Sequence, residues 1–427
     1  MKLKDYSNKI LVTGSHRSGS TWLGHMLSIG ADVDYIHEPM NLGLEQNAAL
    51  NCPFKHTFEY VHDGTSEAQV QELDAYIEKC YKAHRRKSLL SKHSALIIKD
   101  PIAFHCAEWF AKYYGTKNVV LIRHPAAFVA SLKVKNWGFN FNNYLKQSAL
   151  MDDVLFPYRD EIAFFAANPQ NIIEQGILMW NIFYYRTRIY EAYHKDWIFV
   201  KHEDLSARPH EELRKLYDQL GLNYDDKIKQ QIEKAVNPSS ETEFKRNSKD
   251  NIFSWKERLT EAEISLIRKK TDAISQIYYG PRDWNPDPKE ITESESKILS
   301  RIKQAKSKGH PTKFKIENIN EKSVSSPEIK LKGDNLTLSG WAIDEDANKP
   351  ASSVVIQIGE SYFEAFTGYP RADVAKFYKT KEIVLCGIQL SLAKNNLTPG
   401  PNEMKLYVFA DGNKSYYEVS PNIKIIV

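Results

Sequence analysis

The sequence predicts an α/β fold, a P-loop-like parallel sheet flanked by helices, with a C-terminal all-β sandwich domain after it. Three observations carry that expectation. Short β-branched runs alternate with apolar-periodic stretches through roughly the first two-thirds of the 427 residues, the pattern of a mostly parallel sheet covered on both faces. A Gly-rich turn joins the first strand to the first helix. Beyond residue 326 helical spacing disappears, and short strand-like runs separated by Gly, Asn and Pro turns take over. The expected boundaries are 1–285 for the α/β domain, 286–325 for a linker holding one helix, and 326–427 for the sandwich.

The first strand is Ile10, Leu11, Val12 and Thr13; the turn GSHRSGST spans 14–21, and Trp22 and Leu23 open a helix that runs to Ile29. Residues 31–36 read as a second strand ending at His37, Glu38 and Pro39. Pro39 biases Glu38 away from helix, so Glu38 belongs to a strand end or a loop. Residues 41–66 lack periodicity and read as a loop-rich insertion, whereas Val70, Leu73, Ile77, Cys80 and Tyr81 have helical spacing within 67–86. A buried strand at 95–98 stops at Lys99, Asp100 and Pro101. A helix at 103–114, a strand at 118–122 and a helix opening after Pro125 follow; Pro suits a first helical turn, where its missing N–H is no loss. Residues 136–170 are aromatic and loop-rich. A long helix at 171–194 precedes a strand at 197–200, and helices follow near 209–220, 225–235 and 260–277. Composition shifts near Pro281 to Pro-rich, charged and then polar sequence as far as Pro327. The runs at 336–338, 354–358, 388–392, 405–409 and 423–427 are the strands of the expected sandwich, with Trp341 as a core tryptophan rather than a sugar platform.

An apolar fraction of 42% with 26% charged residues fits a soluble globular protein, and a net charge of +4 is too small a bias to suggest nucleic acid as a partner. The four cysteines, Cys52, Cys80, Cys106 and Cys386, lack CxxC spacing, so neither a disulfide frame nor a zinc site is expected. The N-terminus shows no apolar signal core, and no stretch reaches the ~18 apolar residues that a spanning helix requires. A cytoplasmic protein without a transmembrane segment is expected.

A strand–turn–helix junction of this kind points several backbone N–H groups at one spot, and the helix dipole adds partial positive charge. Its expected guest is a phosphate or sulfate ester. Gly14 and Gly19 have the Walker A spacing G-x-x-x-x-G-K-[ST], but Ser20 stands where that pattern has its lysine, and the cation is Arg17, inside the loop. Alone, the turn reads first as an ordinary tight strand-to-helix junction. A second segment, RHPAAFVAS at 123–131, puts Arg123 at a strand's carboxyl end and Ser131 eight residues later on the next helix. Ligands of doubly wound sheets bind outside the carboxyl ends of strands, where a guanidinium fork and a hydroxyl can both hold phosphate.

Together, GSHRSGSTWL at 14–23 and RHPAAFVAS at 123–131 resemble the sulfotransferases that use 3′-phosphoadenosine 5′-phosphosulfate (PAPS), over roughly residues 8–280. The resemblance implies that Arg17, Ser18, Gly19, Ser20 and Thr21 bind the 5′-phosphosulfate and that Arg123 and Ser131 bind the 3′-phosphate. It also implies that Trp22 stacks on the adenine, although packing of the first helix onto the sheet explains Trp22 equally well. The cytosolic aryl and steroid branch has Lys where Arg17 stands; Arg here looks more like the carbohydrate and tyrosylprotein branches, and Lys99-Asp100-Pro101 is similar to a Lys-Asp-Pro of the tyrosylprotein branch. His202-Glu203-Asp204-Leu205 looks like the family's Glu-Asp-Leu turn. Lys245-Arg246-Asn247-Ser248 with Trp255-Lys256 resembles its late basic loop, which puts Arg246 on the cofactor.

Moving a sulfuryl group to a hydroxyl requires a base, cations for the transferring oxygens and an in-line approach. Arg17 and Lys99 are the expected cations, with no metal needed. The histidine of the steroid branch falls at Pro101 here. Glu38 lies 21 residues after Arg17, where the carbohydrate and tyrosylprotein branches carry a glutamate, and is the expected base, with Asp100 and His37 in reserve. His16, His124 and His202 lack ligand spacing and are expected near the site or in solvent. The expected reaction transfers the sulfuryl group of PAPS to a hydroxyl, leaving 3′,5′-ADP. A carbohydrate is the expected acceptor, ahead of a lipid or small metabolite and of protein tyrosine. Two rivals stand beside it: a P-loop kinase using ATP and magnesium, which lacks the Walker lysine, and a non-catalytic glycan-binding protein whose β domain carries the function.

Overall fold

The structure, a computed structural model, describes residues 3–30, 32–84, 95–236, 252–284, 294–320, 322–331, 335–394 and 397–427. The chain divides into two compact units, residues 1–186 with 196–269, and residues 187–195 with 270–427.

In the first unit, strands β1 (Asn8–Gly14), β2 (Val33–His37), β3 (Ala95–Lys99), β4 (Lys117–Ile122) and β5 (Ile198–Lys201) form a parallel sheet in the order β2-β3-β1-β4-β5. β1 runs in the middle, and its leading helix α1 (Ser20–Leu27) returns the chain to β2 on one side, whereas α5 (Pro125–Lys135) leaves β4 toward the other. The strand order therefore reverses between β1 and β4, which opens a crevice at their carboxyl ends. Ile10, Val12, Ile97, Val119 and Leu121 bury one sheet face with Leu23 and Leu27 of α1 and with the later helices α11 (Pro209–Leu220) and α12 (Asp226–Val236). Leu11, Ile98 and Val120 alternate onto the opposite, equally buried face, which is why these strands read as continuous apolar runs.

The remaining helices of this unit lie in the connections between and after its strands. Expected loops contain short helices: α2 (Glu45–Ala49) within 41–66, and α6 (Asn142–Leu145), α7 (Ser148–Asp153) and α8 (Arg159–Ala167) within 136–170. These segments are too short to show a helical period in the sequence, and buried anchors such as Tyr144, Leu150 and Ile162 hold them in place. α3 (Glu67–His84) and α4 (Ala107–Tyr114) match their expected helices, although 102–106 is a 3-10 turn rather than part of α4. α9 (Ile172–Tyr193) is the long helix, and the Glu-Asp-Leu segment forms α10 (His202–Ala207) rather than a turn. On α5, all residues from Pro125 to Leu132 are buried, and Gly176 of α9 admits Val129 so closely that a Cβ there would meet it at 3.1 Å. α13 (Glu261–Tyr278) begins in the first unit and ends in the second, and α14 (Pro281–Trp284) belongs to the second.

The second unit is a mostly antiparallel β-sheet domain. The stretch 286–325, expected as a linker with one helix, holds α15 (Ser294–Gln304) and also strands β6 (Lys306–Ser307), β7 (Phe314–Ile319) and β8 (Lys322–Ser323). β7 escapes a sequence reading because Lys315, Glu317 and Asn318 interrupt its apolar residues. Strands β9 (Glu328–Lys330), β10 (Asn335–Asp344), β11 (Lys349–Pro350), β12 (Ser353–Ile358), β13 (Ser361–Tyr369), β14 (Gly387–Ala393), β15 (Pro401–Ala410), β16 (Ser415–Val419) and β17 (Lys424–Ile426) complete it, with α16 (Ala372–Phe377) between β13 and β14. The path β6-β16-β15-β12-β13-β14-β10-β7-β8 turns over one core, shared by Leu336, Leu338, Ile356, Ile388, Leu390, Leu406 and Val408. The outer face of β12 and β15 is not solvated: Val355, Tyr407 and Phe409 pack under Ile298 of α15. Trp341 is buried, edge-on to Tyr378 at 5.8 Å. Among the described residues, no helix is long and apolar enough to cross a membrane.

β10 carries a bulge at Ser339/Gly340, where the backbone of β7 comes against Gly340 so closely that any Cβ would overlap the Lys315 carbonyl oxygen. Gly340→Ala is therefore expected to cost about 1–3 kcal/mol. It should lower the thermal midpoint of the β-sheet unit by calorimetry, with the first unit's transition unchanged.

Candidate functional site

The crevice at the carboxyl edge receives the ends of β1 to β5, and the expected site residues lie there in sequence-distant pairs. β1 ends in Gly14, whose φ of 141° suits glycine and whose Cβ, were one present, would meet the Leu121 carbonyl oxygen of β4 at 2.6 Å. The turn closes with the Ser18 N–H donating to the Ser15 carbonyl at 3.1 Å. Gly19, at φ 92°, starts α1 against the His202 ring, with no side-chain cap on the helix. The N–H groups of the first helical turn, Ser20, Thr21 and Trp22, have no carbonyl one turn back to accept them. Ser18 is buried, and its hydroxyl has no hydrogen-bond partner among the described residues. An uncapped helix N-terminus, an orphaned buried hydroxyl and a cradle that a Cβ would fill fit a sulfate or phosphate ester.

Lys99 ends β3 in register with Val12 of β1 and His37 of β2. Its stem runs beneath Gly24 of α1, where a Cβ would lie 2.9 Å from the lysine Cγ, so the whole side chain is buried while its ammonium emerges at the helix start. There Nζ donates to Thr21 Oγ1 at 2.9 Å and to Glu38 Oε1. Glu38 follows β2 and keeps 14% of its side chain exposed, against none for Lys99, so the carboxylate is the member of the pair that a second substrate can reach. Burial pushes the Glu38 carboxyl up, but the Lys99 charge and hydrogen bond, with the Asn41 amide, hold it below the ordinary value. Burial draws the Lys99 ammonium down, against the pull of Glu38.

Asp100 and His37, the reserve bases, are otherwise engaged. Asp100 is buried, with Oδ2 accepting the Met40 N–H at 2.7 Å and Oδ1 accepting those of Ile102 and Ala103 at 2.8 and 3.3 Å. Both of its oxygens serve the backbone. Burial and then the Glu38 charge raise its carboxyl to about 7 despite those bonds. His37 Nδ1 pairs with the Tyr35 hydroxyl at 3.1 Å, and Nε2 lies 3.9 Å from Glu38 Oε1.

Arg17, Arg123 and Ser131 meet although 106 and 114 residues separate Arg17 from the other two. Arg17, at φ 65°, donates from Nε to Ser131 Oγ at 2.9 Å and lies over the Trp137 ring at 5.3 Å. Arg123 Nη1 donates to the Arg17 carbonyl oxygen. Two α9 residues that the sequence does not single out anchor this corner. The Tyr184 hydroxyl accepts the Arg123 N–H at 2.7 Å and pairs with Ser15 Oγ at 3.1 Å, and Trp180 Nε1 donates to the Arg123 carbonyl at 2.9 Å. Their spacing of four residues on one helix face was the available signal.

The histidines expected near the site or in solvent are buried beside the site rather than solvated. His124 stacks on Trp255 at 5.2 Å, and burial with the Arg123 charge pushes it down to about 3; His202, facing Gly19, is likewise at about 3. His16 lies among Phe58, Phe128 and Phe183, at about 4 for the same reason of burial, with Arg17 adding to it. All three are neutral near pH 7. Glu203 accepts the His124 N–H at 3.0 Å. Trp22 is half-buried against the apolar cluster of α1 and the sheet. Arg246 and the rest of 245–248 lie outside the described residues; of the late basic loop, Trp255 is buried and Lys256 lies over its ring at 5.6 Å. Among the described residues, no group of three His, Cys, Asp or Glu could hold a metal ion.

The profile of the sulfotransferase family matches residues 9–226, which takes in every strand of the parallel sheet. The chain belongs to the sulfotransferase family. Its reaction class is sulfuryl transfer. Among solved structures, this sulfotransferase is similar to the sulfotransferase domain of the curacin biosynthetic pathway, at 12% identity over 70% of this chain and 98% of that one, with a TM-score of 0.32. It is also similar to the sulfotransferase domain of the Synechococcus PCC 7002 olefin synthase, at 17% identity over 64% and 96% with a TM-score of 0.37. A mouse sulfotransferase complexed with PAP is similar at 10% identity over 65% and 88%, with a TM-score of 0.35. No curated protein matches the sequence.

The Asp100 geometry carries its own test. A carboxyl raised from its ordinary value to about 7 adds stability at low pH that is lost as pH rises toward that value. Asp100→Asn removes this dependence along with an acceptor. Its stability deficit relative to wild type, measured by urea unfolding, is expected to be smaller at pH 8 than at pH 5 by about 2–3 kcal/mol.

Proposed function

We propose that this sulfotransferase uses PAPS and transfers its sulfuryl group to a hydroxyl of a carbohydrate, with Glu38 as the base, leaving 3′,5′-ADP. The observation that carries the reading is the Lys99 ammonium, which bridges Thr21 at the start of α1 and the partly exposed Glu38 carboxylate. One buried cation thereby joins the anion cradle to a carboxylate.

Bound PAPS would supply an activated sulfuryl group on a phosphate leaving group. Arg17, Ser18, Gly19, Ser20 and Thr21 would hold its 5′ end, and Arg123 and Ser131 its 3′-phosphate, with Trp22 beside the adenine and Arg246 assigned by resemblance alone. Lys99 and Arg17 stabilise negative charge at the mouth of the loop, where a fixed cation needs no reorganisation during reaction. Glu38, held ionised by Lys99, accepts the proton of the attacking hydroxyl at Oε1 or Oε2. Asp100, with both oxygens on backbone N–H groups, supports the turn after Glu38 rather than competing for that proton. The choice of a carbohydrate rests on the resemblance of the Arg17 variant to carbohydrate-type motifs and on the appended β-sheet domain; a cytoplasmic location is proposed with it.

Thermal shift separates this reading from a kinase. At a hundredfold excess over its dissociation constant, 3′,5′-ADP is expected to raise the midpoint by about 5 °C, with no effect of ATP and magnesium; the opposite pattern sinks the proposal. Kinetics separate the roles. Glu38→Gln should lower kcat by roughly 100-fold or more with 3′,5′-ADP binding retained, whereas Arg123→Ala should chiefly weaken PAPS binding, by roughly 10–100-fold. Labelled PAPS with a panel of glycans, lipids and tyrosine peptides identifies the acceptor, and no transfer to any of them by wild type would favour a binding protein.

A further inference from the structure

The turn that carries Glu38 is built by two asparagines. Glu38 stands at φ 46°, a left-handed conformation that a non-glycine residue adopts only where its surroundings impose it. The surroundings here are hydrogen bonds. The Glu38 N–H donates to the Lys99 carbonyl at 2.7 Å, and the Glu38 carbonyl accepts the Asn41 N–H at 3.1 Å and Asn47 Nδ2 at 2.8 Å. Asn47, fully buried on α2, also donates to the Asn41 carbonyl at 2.7 Å. The Asn41 side chain then reaches back, with Nδ2 donating to Glu38 Oε2 at 2.5 Å and Oδ1 accepting the Gly43 N–H at 2.9 Å. That second bond determines which end of the amide faces the carboxylate. Each Glu38 oxygen has its own donor, Lys99 on Oε1 and Asn41 on Oε2.

We propose that Asn41 is a positioning residue for Glu38, its amide holding Oε2 so that the carboxylate stays oriented on Lys99 at the mouth of the anion cradle. The inference rests on the reading of Glu38 as the base. A carboxylate on a left-handed loop residue has free χ rotations that a single ion pair does not restrain. The neutral amide adds the second restraint without adding a charge. Lys99 at the end of β3 and His37 of β2 act on the Glu38 carboxyl, and its charge in turn acts on Asp100, Tyr35 and His16 of the first loop; Asn41 is a neutral partner of that carboxylate, so its replacement leaves these ionisable groups in place.

The test uses the full chain and the variants Asn41→Ala, Asn41→Asp and Asn41→Gln. Two readouts are taken: kcat and KM against pH, and the titration of the Glu38 carboxyl followed by carbon NMR without cofactor, assigned by its loss in Glu38→Gln. Asn41→Ala is expected to lower kcat by roughly 10–100-fold with the 3′,5′-ADP thermal shift unchanged, and to move both the acid limb of the kcat profile and the Glu38 titration to higher pH. Asn41→Asp should move them further, since it sets a like charge against Oε2, and Asn41→Gln should restore part of the wild-type rate. Unmoved Glu38 titration in both Asn41→Ala and Asn41→Asp overturns the proposal. If instead Glu38→Gln retains full kcat while the titration moves as expected, the base assignment has failed and the clamp stands as a structural feature only.

Discussion

The ion pair between the buried Lys99 and the partly exposed Glu38 is the constraint on which the rest of the site depends. Withdrawing an ammonium from water costs several kcal/mol unless its partner and hydrogen bonds compensate. Lys99 meets that cost with Glu38 and Thr21, and each contact demands something elsewhere. Thr21 is at hand because Gly19 turns the chain into α1; the lysine stem fits because Gly24 has no side chain; Glu38 points inward because its backbone is held left-handed by Asn41 and Asn47. One charge at the end of β3 thus coordinates the turn after β1 and the turn after β2.

The other side of the crevice is organised by neutral groups around a second cation. Arg123 is gripped through its backbone by Tyr184 and Trp180, and its guanidinium reaches the Arg17 carbonyl. Around it the histidines are stripped of water and neutral. With the imidazoles of His16, His124 and His202 uncharged, Arg17, Lys99 and Arg123 supply positive potential at the crevice, which suits an anionic ligand.

Much of the fold was legible because parallel strands buried on both faces are contiguous apolar runs, as at 95–98 and 119–122. The short helices at 142–145, 148–153 and 159–167 were not, because their positions are set by a few buried anchors, such as Tyr144, Leu150 and Ile162, rather than by a period. β7 was hidden by polar residues on its open face. At the site, the spacing of Gly14, Gly19, Arg123 and Ser131 was visible along the chain. The roles of Asp100 and the three histidines were not, since a carboxylate on backbone N–H groups and an imidazole in an aromatic pocket look, in sequence, like any other titratable residue.

The sequence by itself determined the chemistry on offer: a glycine turn before a helix, a strand-end arginine with a serine eight residues on, and a lysine and a glutamate each closing a strand. Those properties are local, set by backbone freedom at glycine and by the alternation of strand and helix. Tertiary structure alone decided which of these groups meet. The strand order β2-β3-β1-β4-β5 brings Glu38 to Lys99 and Arg17 to Ser131, and burial, a property of the packed chain and not of any residue, decides which of the assembled groups hold charge.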